Sequence, residues 1–413
     1  MSQRELRRAV VLGLVRAGKW TLVKGAGEMG LTVRQARRLL RRYEVEGPSG
    51  LAHRRRGTPA ANRIPESVRD RVLSLAEHTY VGFNDTHLHE ALTEREGLAI
   101  SRVTLRRLLR SHGRPPKRKR RPRQHRRRRE PSARRGQMVQ WDGSLHPWVG
   151  VGGPKWALLA AVDDADGKVV WALFAPAESS IAYFRLLDGI LSRAGIPLSL
   201  YHDQHGALRR SDGHWSLEEQ LRGEQNPTQV GAALRDLAIR SILARSAQGK
   251  GRIERFFEVA QDRLVAELAL RKIATLDEAN EYLHNEWIKD FNRRFGGVAA
   301  ERQSLYRRPG RLDLEKILSF RYERTVAADN TVKLGDLVLQ IPPGPRNRSY
   351  AQARVDVRQH LDGAWSVYYL DRRIAHLPVT ELREPVLARL KTRKSRPAKG
   401  AHETVLVYFQ ETL

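Results

Sequence analysis

Three acidic residues stand where metal-dependent phosphoryl chemistry would need them: Asp142 in QMVQWDGS, Asp203 in LSLYHDQHG and Glu254 in GKGRIERFFEVAQDRL. The first two end short apolar runs of strand character. The third lies near the start of a long amphipathic helix. Hard divalent cations take oxygen ligands, and two-metal phosphoryl transfer draws its carboxylates from separate elements. Side chains alternate along a strand, so if the two strands pair, both Asp carboxylates emerge at one region of the sheet. Glu254 sits beside Ile253 and Phe257 at the margin of the helix's apolar stripe, which lets it point back over the sheet. Carboxylates this close repel one another. Two ions about 3.5–4 Å apart relieve the repulsion and serve both the attacking and the leaving oxygen.

Each acid also has an ordinary local reading. Asp142 begins a DG turn, Asp203 caps a loop, and Glu254 pairs with Arg255 or another neighbour. Their joint placement favours the metal reading. Glu258, one turn beyond Glu254, is the rival third ligand. Asp163, Asp164 and Asp166 in DDADG are better explained by a hairpin turn than by a metal. His146, His202 and His205 read as polar lining or substrate contacts.

The elements that must position the triad form an α/β pattern from 137 to about 296. MVQWDGSLHPW, WALLAAVDD and KVVWALFA give three successive strands. A helix follows over 178–195, then the strand LSLYHD, a polar stretch over 204–226 and a helix over 227–237. The strand AIRSILARS and long helices over 249–270 and 276–293 complete it. Three strands, helix, strand, helix, strand, helix is the ribonuclease-H-like order. Residues 319–380 turn to short strands with Gly/Pro punctuation and predict a small β-barrel. Residues 381–413 predict a loose basic tail.

The N-terminal part is different. Residues 1–136 hold 35 Lys/Arg against 12 Asp/Glu, and the other 277 residues hold 40 against 34. Such asymmetry implies a polyanionic partner engaged mainly by this third of the chain. Residues 1–50 read as three helices. Gly30 makes the turn before a third helix capped by Thr32. Val33, Ala36, Leu39, Leu40 and Tyr43 share its apolar side, and Arg34, Arg37, Arg38, Arg41 and Arg42 the other. A short helix, a turn and an Arg-faced helix match a helix-turn-helix. Residues 64–113 read as a second such unit, whose last helix packs Val103, Leu105, Leu108 and Leu109 and presents Arg102, Arg106, Arg107 and Arg110. Residues 114–136 form a basic linker that cannot bury a core. The chain has no cysteine, which excludes disulfides, thiol nucleophiles and zinc fingers. It has no run of 18 apolar residues and no signal-peptide pattern, which argues against a membrane partner.

LTVRQARRLLRRYEVEGPSGL, QWDGSLHPW, LLAAVDDADGKVV, LYHDQHG and GKGRIERFFEVAQDRLVAEL resemble bacterial insertion-sequence transposases of the ISNCY type, within the DDE integrase/transposase superfamily. The resemblance reaches to about residue 380. It implies Asp142, Asp203 and Glu254 as catalytic metal ligands for two Mg²⁺ ions, with Mn²⁺ as a substitute. Expected partners are double-stranded DNA, both element ends and target, and further copies of the chain. Metal-dependent strand cleavage and strand transfer follow, in a bacterial cytoplasm near the nucleoid. Arg34, Arg37, Arg38, Arg41, Arg102, Arg106 and Arg107 are candidate DNA contacts, and Lys250 and Arg252 candidate contacts to the scissile strand. The alternative is a transposase-derived DNA-binding regulator without catalysis. A ribonuclease-H-type RNA nuclease explains the core but not two DNA-reading helical units.

Overall fold

The computed structural model describes residues 2–53, 64–117, 129–150, 152–208, 210, 215–244, 247–335, 337–377 and 405–407. Much of the basic linker and nearly all of the basic tail therefore lie outside the described residues. The chain divides into two compact units, Met1–Arg71 and Val72–Leu413.

In the first unit, α1 (Gln3–Arg16), α2 (Leu22–Glu28) and α3 (Val33–Glu46) surround a small core of Val11, Leu12, Ala26, Ala36 and Leu51. Thr32 opens α3 with a capping box: its hydroxyl accepts from Gln35 N at 3.3 Å, and Gln35 Oε1 accepts from Thr32 N at 3.2 Å. Gly30, at φ +63°, makes the left-handed turn between α2 and α3. Arg34, Arg37, Arg38 and Arg41 are exposed on α3.

Helix α4 (Glu66–Ser74) spans the division and continues into a wide π turn at Leu75–Thr79. In the second unit α5 (Asp85–Glu94) and α6 (Arg102–Ser111) follow. Leu105, Leu108 and Leu109 are buried as expected, while Val103 is exposed. This helical segment is fastened to the core by ion pairs. Glu90 takes Arg263 at 2.5 Å and Arg294 at 3.1 Å, and Lys117 reaches Asp262 at 2.8 Å. Buried Glu267 receives His87 Nε2 at 2.8 Å, Arg95 at 2.6 Å and Arg271 at 2.5 Å.

The core contains β1 (Val139–His146), β2 (Trp156–Asp163), β3 (Val169–Ala175), α7 (Ser180–Arg193), β4 (Ser199–His202), α8 (Leu217–Arg222), α9 (Gln229–Asp236) and β5 (Arg240–Leu243). Then come α10 (Gly251–Val259) and α11 (Val265–Leu270), joined by a π turn, α12 (Leu276–Tyr282), and α13 (Ile288–Phe295) after a second π turn at Leu283–Trp287. The five strands run in the order β3-β2-β1-β4-β5. β1, β2 and β3 are antiparallel neighbours, and β1, β4 and β5 are parallel. Alternation splits the side chains of β1 between two cores. Val139 and Trp141 join the α7 and α9 side, which leaves Gln140 and Asp142 on the face covered by α10 to α13.

The outer edge of β3 is covered by side chains. Asn292 accepts from Val169 N at 2.7 Å and donates to Val169 O at 2.9 Å. Asn280 does the same to Phe174, at 2.7 and 3.0 Å, and His284 Nε2 meets Ala172 O at 2.8 Å. The π turn between α12 and α13 inserts an extra residue per turn. That insertion brings Asn292 back into the row of Asn280 and His284.

The C-terminal region contains α14 (Leu314–Ile317), β6 (Ser319–Thr325), β7 (Thr331–Leu334), β8 (Leu337–Gln340), β9 (Arg354–His360), β10 (Trp365–Tyr369), β11 (Arg372–Leu377) and β12 (Val405–Val407). The expected small β-barrel does not form. The strands make two open sheets, β11-β10-β9-β6 and β12-β8-β7. A barrel requires its first and last strands to bond to each other. Instead, β7 and β8 pair off as a separate hairpin, and β12 adds in parallel to β8. Both sheets contribute to one apolar core, with Val332, Leu334, Leu337 and Leu339 alongside Tyr322, Val357, Trp365 and Val367. Among the described residues, no helix is long and apolar enough to cross a membrane.

Candidate active site

Strands β1 and β4 pair in parallel with Gln140 opposite Tyr201. Asp142 lies two residues beyond Gln140, and Asp203 two beyond Tyr201. Two steps along a strand restore the same face, so both carboxylates leave the sheet side by side. Lys250, immediately before α10, reaches between them. Its Nζ stands 2.7 Å from Asp142 Oδ2 and 3.5 Å from Asp203 Oδ2. Burial pushes the Asp142 carboxyl above its ordinary range, opposed by the ion pair to Lys250 and reinforced by the charge on Asp203.

Glu254 is exposed on α10, one turn beyond Lys250, and Glu258 is exposed one turn further on. Among the described residues, no three His, Asp or Glu side chains stand close enough to hold one ion. The structure thus brings Asp142 and Asp203 together around a cation and leaves Glu254 apart from them. Arg252 turns inward, its Nε 3.3 Å from Asp164 Oδ1. On α6, Arg110 and Arg106 reach Asp85, at 2.5 and 3.6 Å, while Arg102 and Arg107 are exposed.

The DDADG carboxylates act as staples. Asp163 accepts from Gly136 N, Ala165 N and the Tyr306 hydroxyl. Asp164 accepts from Arg129, from Ser132 N and Oγ, and from Gln140 Nε2. Asp166 accepts from Lys168 N and pairs with Arg135. Burial raises the Asp164 carboxyl, but the hydrogen bonds from Arg129 and Ser132 outweigh it and hold it below its usual range.

Glu178 was not singled out from the sequence. A Cβ on Gly143, next to Asp142, would come within 2.7 Å of its carboxylate. Glu178 accepts a short hydrogen bond from Tyr183, and His205 Nε2 lies 3.7 Å away. Burial raises the Tyr183 hydroxyl far above its ordinary value, and the charges of Glu178, Asp142 and Asp203 add to that rise. The glycine after Asp142 was the available signal, since a glycine within a strand marks a close approach. His202 is buried and bonds Ser241 Oγ through Nε2 at 2.6 Å. His146 packs edge-on against Trp148 at the far end of β1.

Two carboxylates converging on one cation position are a hard-oxygen donor set, which suits Mg²⁺ better than a thiol- or imidazole-seeking metal. Burial, with a smaller contribution from the neighbouring Asp203 charge, raises Asp142, and a cation between the two carboxylates offsets both.

The chain thus combines a five-stranded mixed sheet, paired Asp residues at the ends of two neighbouring parallel strands, and a preceding set of short helices. Residues 7–59 match a helix-turn-helix domain model and residues 35–109 a homeodomain-like domain model. The chain is 34% identical to y4bF of Sinorhizobium fredii, a protein named as a transposase, over 96% of this chain and 89% of that one. It is 30% identical to the transposase for insertion sequence IS1202 of Streptococcus pneumoniae, over 71% of this chain and 68% of that one. The catalytic core domain of HTLV-2 integrase, solved with magnesium, overlaps 37% of this chain at 18% identity and covers 87% of that core, with a TM-score of 0.26. That overlap is too slight to bear on the fold. The chain belongs to the insertion-sequence transposases.

Proposed function

We propose that the chain binds the terminal inverted repeats of its own element and carries out metal-dependent strand cleavage and strand transfer there. The observation that carries this reading is the in-register exit of Asp142 and Asp203 from β1 and β4 onto one cation position. Asp142, Asp203 and Glu254 are the residues to hold two Mg²⁺ ions, with Mn²⁺ as a substitute, and Glu254 must move toward the Asp pair when metal and DNA bind. When bound, such ions lower the pKa of water and stabilise the charge that builds on the transferring phosphate. Asp142 and Asp203 must both be ionised to act as ligands. Lys250 screens their repulsion until then, and is placed to turn to a phosphate oxygen once the carboxylates are otherwise engaged. Glu254 stands on the exposed side of α10, where a DNA backbone approaching the pair would meet it.

Arg34, Arg37, Arg38 and Arg41 are proposed contacts to the element ends, Arg102, Arg106 and Arg107 a second set, and Lys250 and Arg252 contacts to the scissile strand. Two ends handled together call for a dimer or a larger assembly. The test is strand cleavage on duplex DNA carrying the terminal repeats, with Mg²⁺ or Mn²⁺, comparing the parent with Asp142→Asn and Glu254→Gln. Metal-dependent release of a 3′-hydroxyl end, lost in both variants, supports the reading. Cleavage by Asp142→Asn at the parent's rate overturns it. Repeat-specific binding without cleavage by the parent favours a catalytically silent regulator.

A further inference from the structure

Gln140 has no place in the chemistry just described, yet it is among the most buried polar side chains of the core, 1% exposed. It lies on the same face of β1 as Asp142 and touches the start of α10 twice. Its Oε1 accepts the backbone N–H of Ile253 at 3.2 Å, and its Nε2 lies 3.4 Å from the carbonyl of Gly249. The same Nε2 donates to Asp164 Oδ1 at 2.8 Å. Asp164 is fully buried, and its remaining acceptor capacity is taken by Arg129, Ser132 and Arg252. With all its neighbours donors, Asp164 fixes which way the Gln140 amide faces: nitrogen to Asp164, oxygen to Ile253. Tyr201, opposite Gln140 in the sheet, closes the other side. A Cβ on Gly249 would come within 2.0 Å of the Tyr201 hydroxyl, so the backbone of residue 249 lies directly against it.

The residues flanking this clamp are Lys250, which bridges Asp142 and Asp203, and Glu254, the next residue after Ile253. We propose that Gln140, oriented by Asp164, is a positioning residue that sets the axial and rotational placement of the start of α10, and through it the placement of Lys250 and Glu254 relative to Asp142 and Asp203. Arg129 and Ser132, at the C-terminal end of the basic linker, share the Asp164 carboxylate with Gln140. The Asp164 carboxylate thereby ties this end of the linker to the start of α10 through Gln140 and Arg252. This inference rests on the strand-cleavage reading above.

Outer partners of metal ligands alter metal affinity or activity by about 10–100-fold when changed. The test uses the full chain with Gln140→Met, Gln140→Glu and the double variant Gln140→Glu/Asp164→Asn. Gln140→Met removes all three contacts of the amide. Gln140→Glu sets a carboxylate against Asp164. The double variant exchanges amide and carboxylate between the two positions. Three quantities are read: hydrogen exchange of peptides covering 250–256 in metal-free protein, binding to end DNA, and Mg²⁺ dependence of strand cleavage. The expected result is faster exchange at 250–256 in Gln140→Met and Gln140→Glu, end-DNA binding within about twofold of the parent, and cleavage reduced about 10–100-fold with a raised Mg²⁺ requirement. In the double variant the amide at position 164 can donate to the carboxylate at position 140 but no longer neutralises Arg129 and Arg252, so it recovers part of the exchange protection and of the Mg²⁺ dependence. Parent-like exchange and Mg²⁺ dependence in the two single variants overturn the proposal. So does a loss that follows global unfolding and is not recovered in the double variant. Failure of the underlying reading shows separately, as parent-rate cleavage by Asp142→Asn.

Discussion

Replacing Glu267 by Gln tests whether the helical segment carrying α5 is held to the core by charge. Glu267 is 3% exposed and accepts from His87, Arg95 and Arg271. Burial alone would raise its carboxyl, but the hydrogen bonds from His87 and Arg95 and the charge of Arg95 outweigh burial and bring it to about 2 from 4.5. At about 1.36 kcal/mol per pKa unit, that difference is worth about 3 kcal/mol at neutral pH. Part of it must be discounted. Burial pushes His87 below 6.5, and its Nδ1 has no partner, so at pH 7 it is a neutral donor and lends no charge. Arg95, 38% exposed, is also partly screened by water. We expect Glu267→Gln to lose about 2 kcal/mol in urea unfolding at pH 7, with faster hydrogen exchange in α5. The folded-state pKa is depressed, so the contribution is present in full above 4.5 and disappears as pH falls through about 2. The gap between parent and variant should therefore narrow over that window. A gap below about 0.5 kcal/mol at pH 7, or one that stays constant down to pH 3, refutes the reasoning.

Lys250→Met leaves Asp142 and Asp203 facing each other without a cation; metal-free protein should lose about 1–2 kcal/mol, and Mg²⁺ should raise its melting temperature more than it does the parent's. An equal Mg²⁺ response would show that Lys250 does not compete for the site. Gly249→Ala drives a Cβ into the Tyr201 hydroxyl and should slow strand cleavage at least about tenfold, with partial recovery in Gly249→Ala/Tyr201→Phe; no recovery would show that the contact is not what confines residue 249. Arg34→Ala/Arg37→Ala should lower the slope of log affinity against log salt by about 0.9 per phosphate contact removed; an unchanged slope would take α3 off the DNA.

That Asp142 and Asp203 each end an apolar run was legible, whereas the parallel pairing of those runs, and its register, is set by contacts that the alternation does not encode. The helix-turn-helix of the first unit was legible from Thr32, Gly30 and the Arg-sided periodicity of α3. The DDADG carboxylates were read as a turn, and they are one, although their larger task of tying down residues 129–136 and Tyr306 depends on contacts distant in sequence. The C-terminal sheets were misjudged because alternation identifies strands but not partners. β12 comes from a tail whose composition reads as loose, and it extends the β7–β8 hairpin rather than closing a ring. Gln140 escaped notice because an amide in a strand carries no chemical signature. Its significance appears only when α10 is laid across it. Lys250 was expected to face DNA, and a long flexible side chain leaves no sequence trace of which anion it chooses.

The side-chain coat along β3 bears on how copies of this chain can assemble. An uncovered outer strand is a template on which another chain can lay its own backbone, and growth by that route has no natural end. Here two amides and an imidazole already occupy the positions such a guest would need. If copies gather on two DNA ends as proposed, this coat bars them from open-ended stacking along this margin. The copies have to recognise one another by shape and charge elsewhere, or through the DNA they hold in common.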